Sequence, residues 1–198
     1  MSILTIAGSP SADSRSAKLL AHVGNAIEAA ELDVATLSLR SLPAEALLLA
    51  DRSHPAVVAA LDAVADASAI VLATPIYKAA YSGLLKTFLD LLPQRGFEGK
   101  FVWPIASGGS LAHALAIDYA LRPVLASLSA AQIGRAVFAL DSEIGSDSGG
   151  GLQLAPALAA RLDDGVNALA QHLGASPRLA KLNASNGFMR FSPARCSA

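Results

Sequence analysis

Residues 69–92, AIVLATPIYKAAYSGLLKTFLDLL, constrain the fold more than any other stretch of the chain. They open with Ile70-Val71-Leu72-Ala73, an apolar and branched run that predicts a strand buried on both faces. Thr74-Pro75 is expected to stop this strand, because proline cannot donate to a ladder. Ile76 to Tyr81 then reads as a loop at the strand's carboxyl end, and Ser82 as the N-cap of a helix. In open parallel sheets, ligands bind at this edge. The helix carries two adjacent apolar stripes, Leu84, Phe88 and Leu91 beside Leu85, Leu89 and Leu92. One stripe suffices to pack on a sheet. The second calls for another partner, which predicts a subunit interface along the helix from Ser82 to Leu92.

The rest of the chain repeats the alternation. Ser2 to Ala7 reads as a strand, and Ser14 to Ala30 as a helix with Leu19, Leu20, Val23 and Ile27 on one face. Asp33 to Leu39 reads as a strand, Pro43 to Ala50 as a connection with one helical turn, and Pro55 to Ala67 as a helix with Val57, Val58, Leu61 and Val64 inward. Phe101 to Ala106 is a fourth strand, in which Pro104 predicts an irregularity. Leu111 to Leu128 is helical in pattern, interrupted by Pro123. Ala136 to Leu140 is a fifth strand, Asp141 to Gly151 a polar, glycine-rich and mobile loop, and Ala155 to Leu173 a final helix. Strands and helices alternate throughout, with no internal repeat and no long linker. This predicts one α/β domain over residues 1–173, a doubly wound five-stranded parallel sheet, with residues 174–198 as a C-terminal tail. Right-handed crossovers leave few topologies. The strand order 2-1-3-4-5, the flavodoxin-like order, is favoured over a dinucleotide-binding half.

Composition narrows the functional classes. Hydrophobic residues make up 53% of the 198 and charged residues 16%, a globular balance. The formal net charge is -1, so no basic field exists to hold nucleic acid. Apolar runs are broken by Asp62, Asp66, Asp118 and Arg122, which argues against a membrane span. The N-terminus shows no signal-peptide pattern, and a cytoplasmic protein is expected. The single cysteine, Cys196, reads as an incidental thiol. Asn183-Ala184-Ser185 fits a glycosylation acceptor but carries no weight without secretion. His22, His54 and His172 have no carboxylate at ligand spacing, so no metal site is predicted.

Three loops carry the candidate chemistry. The first runs from Gly8 to Ser16 between a strand and a helix. A helix start offers unpaired N–H groups and positive partial charge, which suit a phosphate. Ser9, Ser14 and Ser16 add hydroxyls, and Arg15 adds a full charge. The loop lacks both GxGxxG and GxxxxGK[ST], which speaks against a dinucleotide fold or a nucleotide hydrolase. An ordinary serine-capped helix start remains the alternative. The second loop, Thr74 to Tyr81, offers backbone groups and Tyr77 beside a flat ring, or tyrosines that merely pack with hydroxyls at the surface. The third, Ser107-Gly108-Gly109-Ser110, lets backbone approach a ring closely, or makes a tight turn. His113 nearby reads as a cap or packing residue before a catalyst. All three loops fall on one sheet edge. Together they describe a site for a mononucleotide with a planar ring, and FMN fits.

These residues resemble a known family. Gly8-Ser9-Pro10 with Ser14-Arg15-Ser16, the run from Thr74 to Pro93, Ser107-Gly108-Gly109, and Ala116 to Leu125 are similar to the NADPH-dependent FMN reductases. Within that family the likeness is to the reductase component of two-component alkanesulfonate monooxygenases, over roughly residues 3–173. The resemblance implies a flavodoxin-like fold, FMN at the three loops, NADPH as hydride donor, and a homo-oligomer, dimer or tetramer. It also implies that Tyr119 lies in a π-bulge near the subunit interface and the flavin, as a modulator. Pro123 independently predicts broken helix hydrogen bonding one turn later.

The expected reaction is hydride transfer from NADPH to N5 of FMN, with the reduced flavin leaving for a partner monooxygenase. Ser9, Ser14, Arg15 and Ser16 are expected to hold the phosphate. Thr74, Pro75, Ile76 and Tyr77 should wall the ring, and Ser107, Gly108 and Gly109 should meet its pyrimidine edge. No catalytic side chain is required, because the cofactor carries the chemistry. A bound-FMN quinone, azo or metal reductase is the alternative. A flavodoxin-type electron carrier ranks lower, since such carriers are strongly acidic.

Overall fold

The structure is a computed structural model, and it describes residues 2–146 and 150–174. Cys196, the glycosylation-like triplet and nearly all of the expected tail lie outside the described residues.

The apolar runs form a parallel frame. β1 (Ser2–Ala7) pairs with β2 (Asp33–Ser38) on one side and with β3 (Ala69–Tyr77) on the other. β3 pairs in turn with β5 (Phe101–Gly108), and β4 (Ala80–Tyr81) folds back antiparallel on the tip of β3. Along the far side of β5 lie two short pieces, β6 (Gln132–Ile133) and β7 (Val137–Leu140). The parallel frame therefore follows the expected 2-1-3-4-5 order, but the sheet has seven strands where five were expected. The fifth position is filled by two pieces, and β4 is added.

Alternate residues of a strand face opposite sides, and each side of the sheet has its own core. Ile70 and Leu72 face one cluster, with Val57 and Val64 of α3 (Pro55–Asp66) and Leu85 and Phe88 of α4 (Gly83–Leu89). Val71 and Ala73 face the other, with Leu19, Val23 and Ile27 of α1 (Arg15–Ala29) and Leu158, Leu162 and Val166 of α6 (Pro156–His172). Val58, expected inward, is 39% exposed, because Val57, Ala60 and Val64 already fill the narrow stripe of α3.

Thr74-Pro75 does not stop the central strand. β3 continues to Tyr77, and Pro75 stands in register with Ser107. The reason lies on its other side. Ala73 accepts a hydrogen bond from the Gly8 amide at 2.8 Å, so Ala73 and, two residues on, Pro75 turn their backbone toward β1. There β1 has ended and β4 has not begun, and no acceptor waits for the donor that proline lacks. Pro104 repeats the arrangement. Val102 accepts from the Gly134 amide, so Pro104 faces the gap between β6 and β7. The predicted irregularity falls in the neighbouring strand, while β5 itself stays regular.

The second stripe of the central helix also differs from expectation. α4 ends at Leu89, and Leu85, Phe88, Leu89, Leu91 and Leu92 are all buried within the one chain. Their partners come from the 39–41 turn and α2 (Ala44–Leu48), with Leu39, Ala46 and Leu47 in the same cluster. The apolar surplus that pointed to a subunit interface along this helix is therefore satisfied internally.

Residues 141–146 and 152–154, read as part of or next to a mobile loop, take regular structure. Asp141–Glu143 forms a 3-10 turn, and β8 (Ile144–Ser146) pairs antiparallel with β9 (Leu152–Leu154). Farther back, Ile117–Leu121 is a π-helix whose last bond runs from the Arg122 amide to the Ile117 carbonyl. It leads into α5 (Arg122–Ser127), where Pro123 in the first turn has no amide to donate to the turn before it. Tyr119 is 78% exposed, so it does not pack within the chain. No helix among the described residues is long and apolar enough to cross a membrane.

Candidate flavin site

The first loop is pressed against the centre of the fold. A Cβ on Gly8 would lie 3.0 Å from the Ala73 carbonyl oxygen and 3.1 Å from Leu85 Cβ, so a side chain here would press on both the central strand and α4. Ser9 is buried, and its Oγ accepts the Ser11 amide at 3.1 Å. Ser14 caps α1 by accepting the Ala17 amide at 3.1 Å, and its hydroxyl lies 3.2 Å from that of Ser16. The first two amides of α1, on Arg15 and Ser16, take no partner among the described residues. They are the free donors that make a helix start attractive to an anion. Arg15 Nη1 lies 3.3 Å from Asp141 Oδ2, with both side chains partly exposed.

The second loop is a tight hairpin. Lys78 and Ala79 both take positive φ, 50° and 63°, the backbone of a two-residue turn that glycine or asparagine adopts more easily. Thr74 Oγ1 accepts the Ser82 amide at 3.0 Å and donates to the Pro75 carbonyl at 3.0 Å. Ser82 Oγ accepts the Leu85 amide at 3.1 Å and donates to the Gly8 carbonyl. Ile76 is buried, while Tyr77 stands 49% exposed at the tip. Burial raises the Tyr81 phenol above its ordinary pKa, with Lys86 opposing. Lys86 and Arg122 are engaged by Asp90 and Asp118 one turn away, whereas Lys78 has no ion pair among the described residues.

The third loop continues β5. Ser107 is buried, and a Cβ on Gly108 would meet the Phe138 ring at 3.2 Å. A Cβ on Gly109 would lie 3.5 Å from Asp141 Oδ2. His113 sits in a 3-10 turn capped by Ser110 and forms no ion pair among the described residues.

The register brings these loops together. Ala7 stands beside Ala73 and Pro75 beside Ser107, so all three leave the same edge of adjacent strands. Ser9, Ser14, Arg15 and Ser16 gather at one end, Thr74 to Tyr77 form the middle, and Ser107, Gly108 and Gly109 close the other side. The arrangement fits FMN: free amides and a cation for its phosphate, and a shelf on which even a methyl group would be crowded for its ring. Asp141, which follows β7 on this edge, was missed in the sequence, where it reads as the first residue of a polar, glycine-rich loop. A separate cavity of about 350 Å³ lies between α6 and the interrupted edge of the sheet, lined by Trp103, Arg135, Phe138, Arg161 and Asp164 among others. It shares no residue with the three loops.

The family model for NADPH-dependent FMN reductases matches residues 1–144. The chain belongs to this family. An FMN reductase (NADPH) of Escherichia coli (strain K12) is 43% identical over 173 residues, covering 87% of this chain and 90% of the relative. The apo crystal structure of the NADH:FMN oxidoreductase EMOB is 37% identical with a TM-score of 0.78, covering 89% of this chain and 91% of that one. A Streptococcus pneumonia TIGR4 flavodoxin, 16% identical with a TM-score of 0.60 over 86% of this chain and 98% of its own, shares the flavodoxin-like fold alone. This reductase is thus an oxidoreductase that takes FMN and a nicotinamide nucleotide.

Proposed function

We propose that this reductase takes hydride from NADPH and releases reduced FMN to a separate monooxygenase in the cytoplasm. The reading rests on the convergence of the three loops at one sheet edge, with the serine-capped start of α1 and Arg15 at one end. FMN bound there would supply the hydride-accepting chemistry. The chain positions it. Ser9, Ser14, Ser16 and Arg15 hold the phosphate, Thr74, Pro75, Ile76 and Tyr77 wall the ring, and Ser107, Gly108 and Gly109 lie along its pyrimidine edge. Residues 1–173 act as one domain in this reading. Lys78, next to Tyr77 and without an ion pair among the described residues, meets the 2′-phosphate that separates NADPH from NADH. Leu111, Leu115 and Tyr119 are strongly exposed along the segment that contains the π-helix, and they support assembly into a dimer or tetramer in which Tyr119 modulates the flavin.

Anaerobic stopped-flow with FMN and NADPH, followed by gel filtration, tests the function. Rapid bleaching of the flavin, with reduced flavin eluting free of protein, is the expected result. Bleaching with all flavin retained would replace this reading with a bound-flavin reductase. Bound flavin that NADPH does not bleach would replace it with an electron carrier.

A further inference from the structure

Arg15 is the only full positive charge on the phosphate loop, and in this structure Asp141 already engages it at 3.3 Å. Asp141 is held in place. The Glu143 carboxylate accepts the Leu140 amide at 2.8 Å with one oxygen and Arg161 Nη2 at 2.6 Å with the other. Arg161 Nη1 also donates to the Phe138 carbonyl at 2.7 Å. The 3-10 turn carrying Asp141 is therefore fastened to α6 just after β7 ends. Asp141 Oδ2 is also the nearest atom to a Cβ built on Gly109, so the same carboxylate borders the first and third loops.

A phosphate monoester carries nearly two negative charges at neutral pH. To take Arg15 it must displace or share the Asp141 carboxylate, and any sharing leaves like charges side by side. We infer that Asp141 sets how loosely this enzyme holds flavin, by competing with the flavin phosphate for Arg15. A permanent carboxylate at the phosphate end keeps FMN exchangeable. This inference rests on the phosphate assignment proposed above.

The test is FMN titration of the full chain by fluorescence quenching, with riboflavin as the ligand that lacks the phosphate. Asp141→Asn keeps the side-chain shape and removes the charge. It should lower the FMN dissociation constant roughly threefold to fivefold, the scale of one partly exposed ion pair. It should leave riboflavin binding unchanged and lower KM for FMN more than it changes kcat. Arg15→Ala should raise the FMN constant, and adding Asp141→Asn to it should recover less than Asp141→Asn gains alone. Tighter binding is an outcome that structural damage does not produce. If Asp141→Asn leaves the FMN constant unchanged while Arg15→Ala raises it, the phosphate site stands and the competition is refuted. Equal tightening of FMN and riboflavin would refute it too. If Arg15→Ala itself has no effect, the phosphate assignment fails and the inference with it.

Discussion

The Ser82 hydroxyl donates to the Gly8 carbonyl while it accepts the Leu85 amide, so one side chain caps α4 and fastens the first loop to the second. Ser82 is buried. Its backbone amide is used as well, by Thr74 Oγ1. The first and second loops are thus joined through two hydrogen bonds at one residue, to Gly8 and to Thr74, while a third caps α4.

Ser82→Ala should therefore act on stability and flavin binding together. Losing an N-cap costs about 1 kcal/mol, and a buried carbonyl left without a donor costs about 1–3 kcal/mol. Urea denaturation should show a loss of roughly 2–4 kcal/mol, with weaker FMN binding at temperatures where the variant is folded. Ser82→Thr, which keeps the hydroxyl, should recover most of it. A loss below about 0.5 kcal/mol would mean that the bond to Gly8 contributes nothing.

Lys78→Ala should separate the two nicotinamide nucleotides. A charge-assisted contact to phosphate is worth about 1.5–3 kcal/mol, so kcat/KM for NADPH should fall at least tenfold or so. The value for NADH should change little, since NADH has no 2′-phosphate. Steady-state rates with both donors at fixed FMN decide it, and an equal fall for both would reassign Lys78 to the turn itself.

Gly165→Ala should be strongly destabilising. The missing Cβ position is already occupied by the six-membered ring of Trp103, which is buried and donates through Nε1 to the Arg135 carbonyl at 3.1 Å. Overpacking of this kind costs about 1–3 kcal/mol or more. In a double-mutant cycle, Trp103→Phe should recover part of the loss by vacating the space. Strict additivity of the two changes would show that α6 shifts bodily to accept the methyl group.

His22 gives a pH signature. Burial holds its imidazole below the ordinary 6.5, with the Asp163 carboxylate only partly opposing. The unfolded chain then takes up a proton at higher pH than the folded one, so stability rises with pH through the window just below 6.5 and falls on acidification through it. Asp163, raised by burial, acts in the opposite sense in a lower window, above its ordinary 3.8. Thermal scans between about pH 7.5 and 5.5 should show a Tm decrease of roughly 1–3 °C that His22→Gln reduces. An unchanged slope in the variant would place the acid sensitivity elsewhere.

Local chemistry was legible where one residue decides it. The caps at Ser14 and Ser82, the proline start of α3 and the doubly buried central strand all follow from residue type and period. Pro75 was misread because a missing donor ends a strand only if a neighbour needs it, and the neighbour on that side stops at Ala7. The second stripe of α4 was misread because its partners, Leu39 and Leu47, lie some forty residues earlier in a stretch with little periodic pattern. Asp141 was invisible for a plainer reason. Nothing within its own loop distinguishes it, and its meaning comes from Arg15, 126 residues away.

The seating of α6 reaches farther than its own packing. Gly165 fixes the helix against Trp103, and one turn earlier the same helix presents Arg161 to Glu143. Whatever shifts α6 along the sheet therefore shifts the turn that bears Asp141. The volume at Gly165 and Trp103, on the face of the sheet that α6 shares with α1, is in this way linked to the charge seen by Arg15. Under the competition inferred above, flavin affinity is open to tuning, over evolutionary time or in a directed selection, by substitutions that touch neither ligand nor loop.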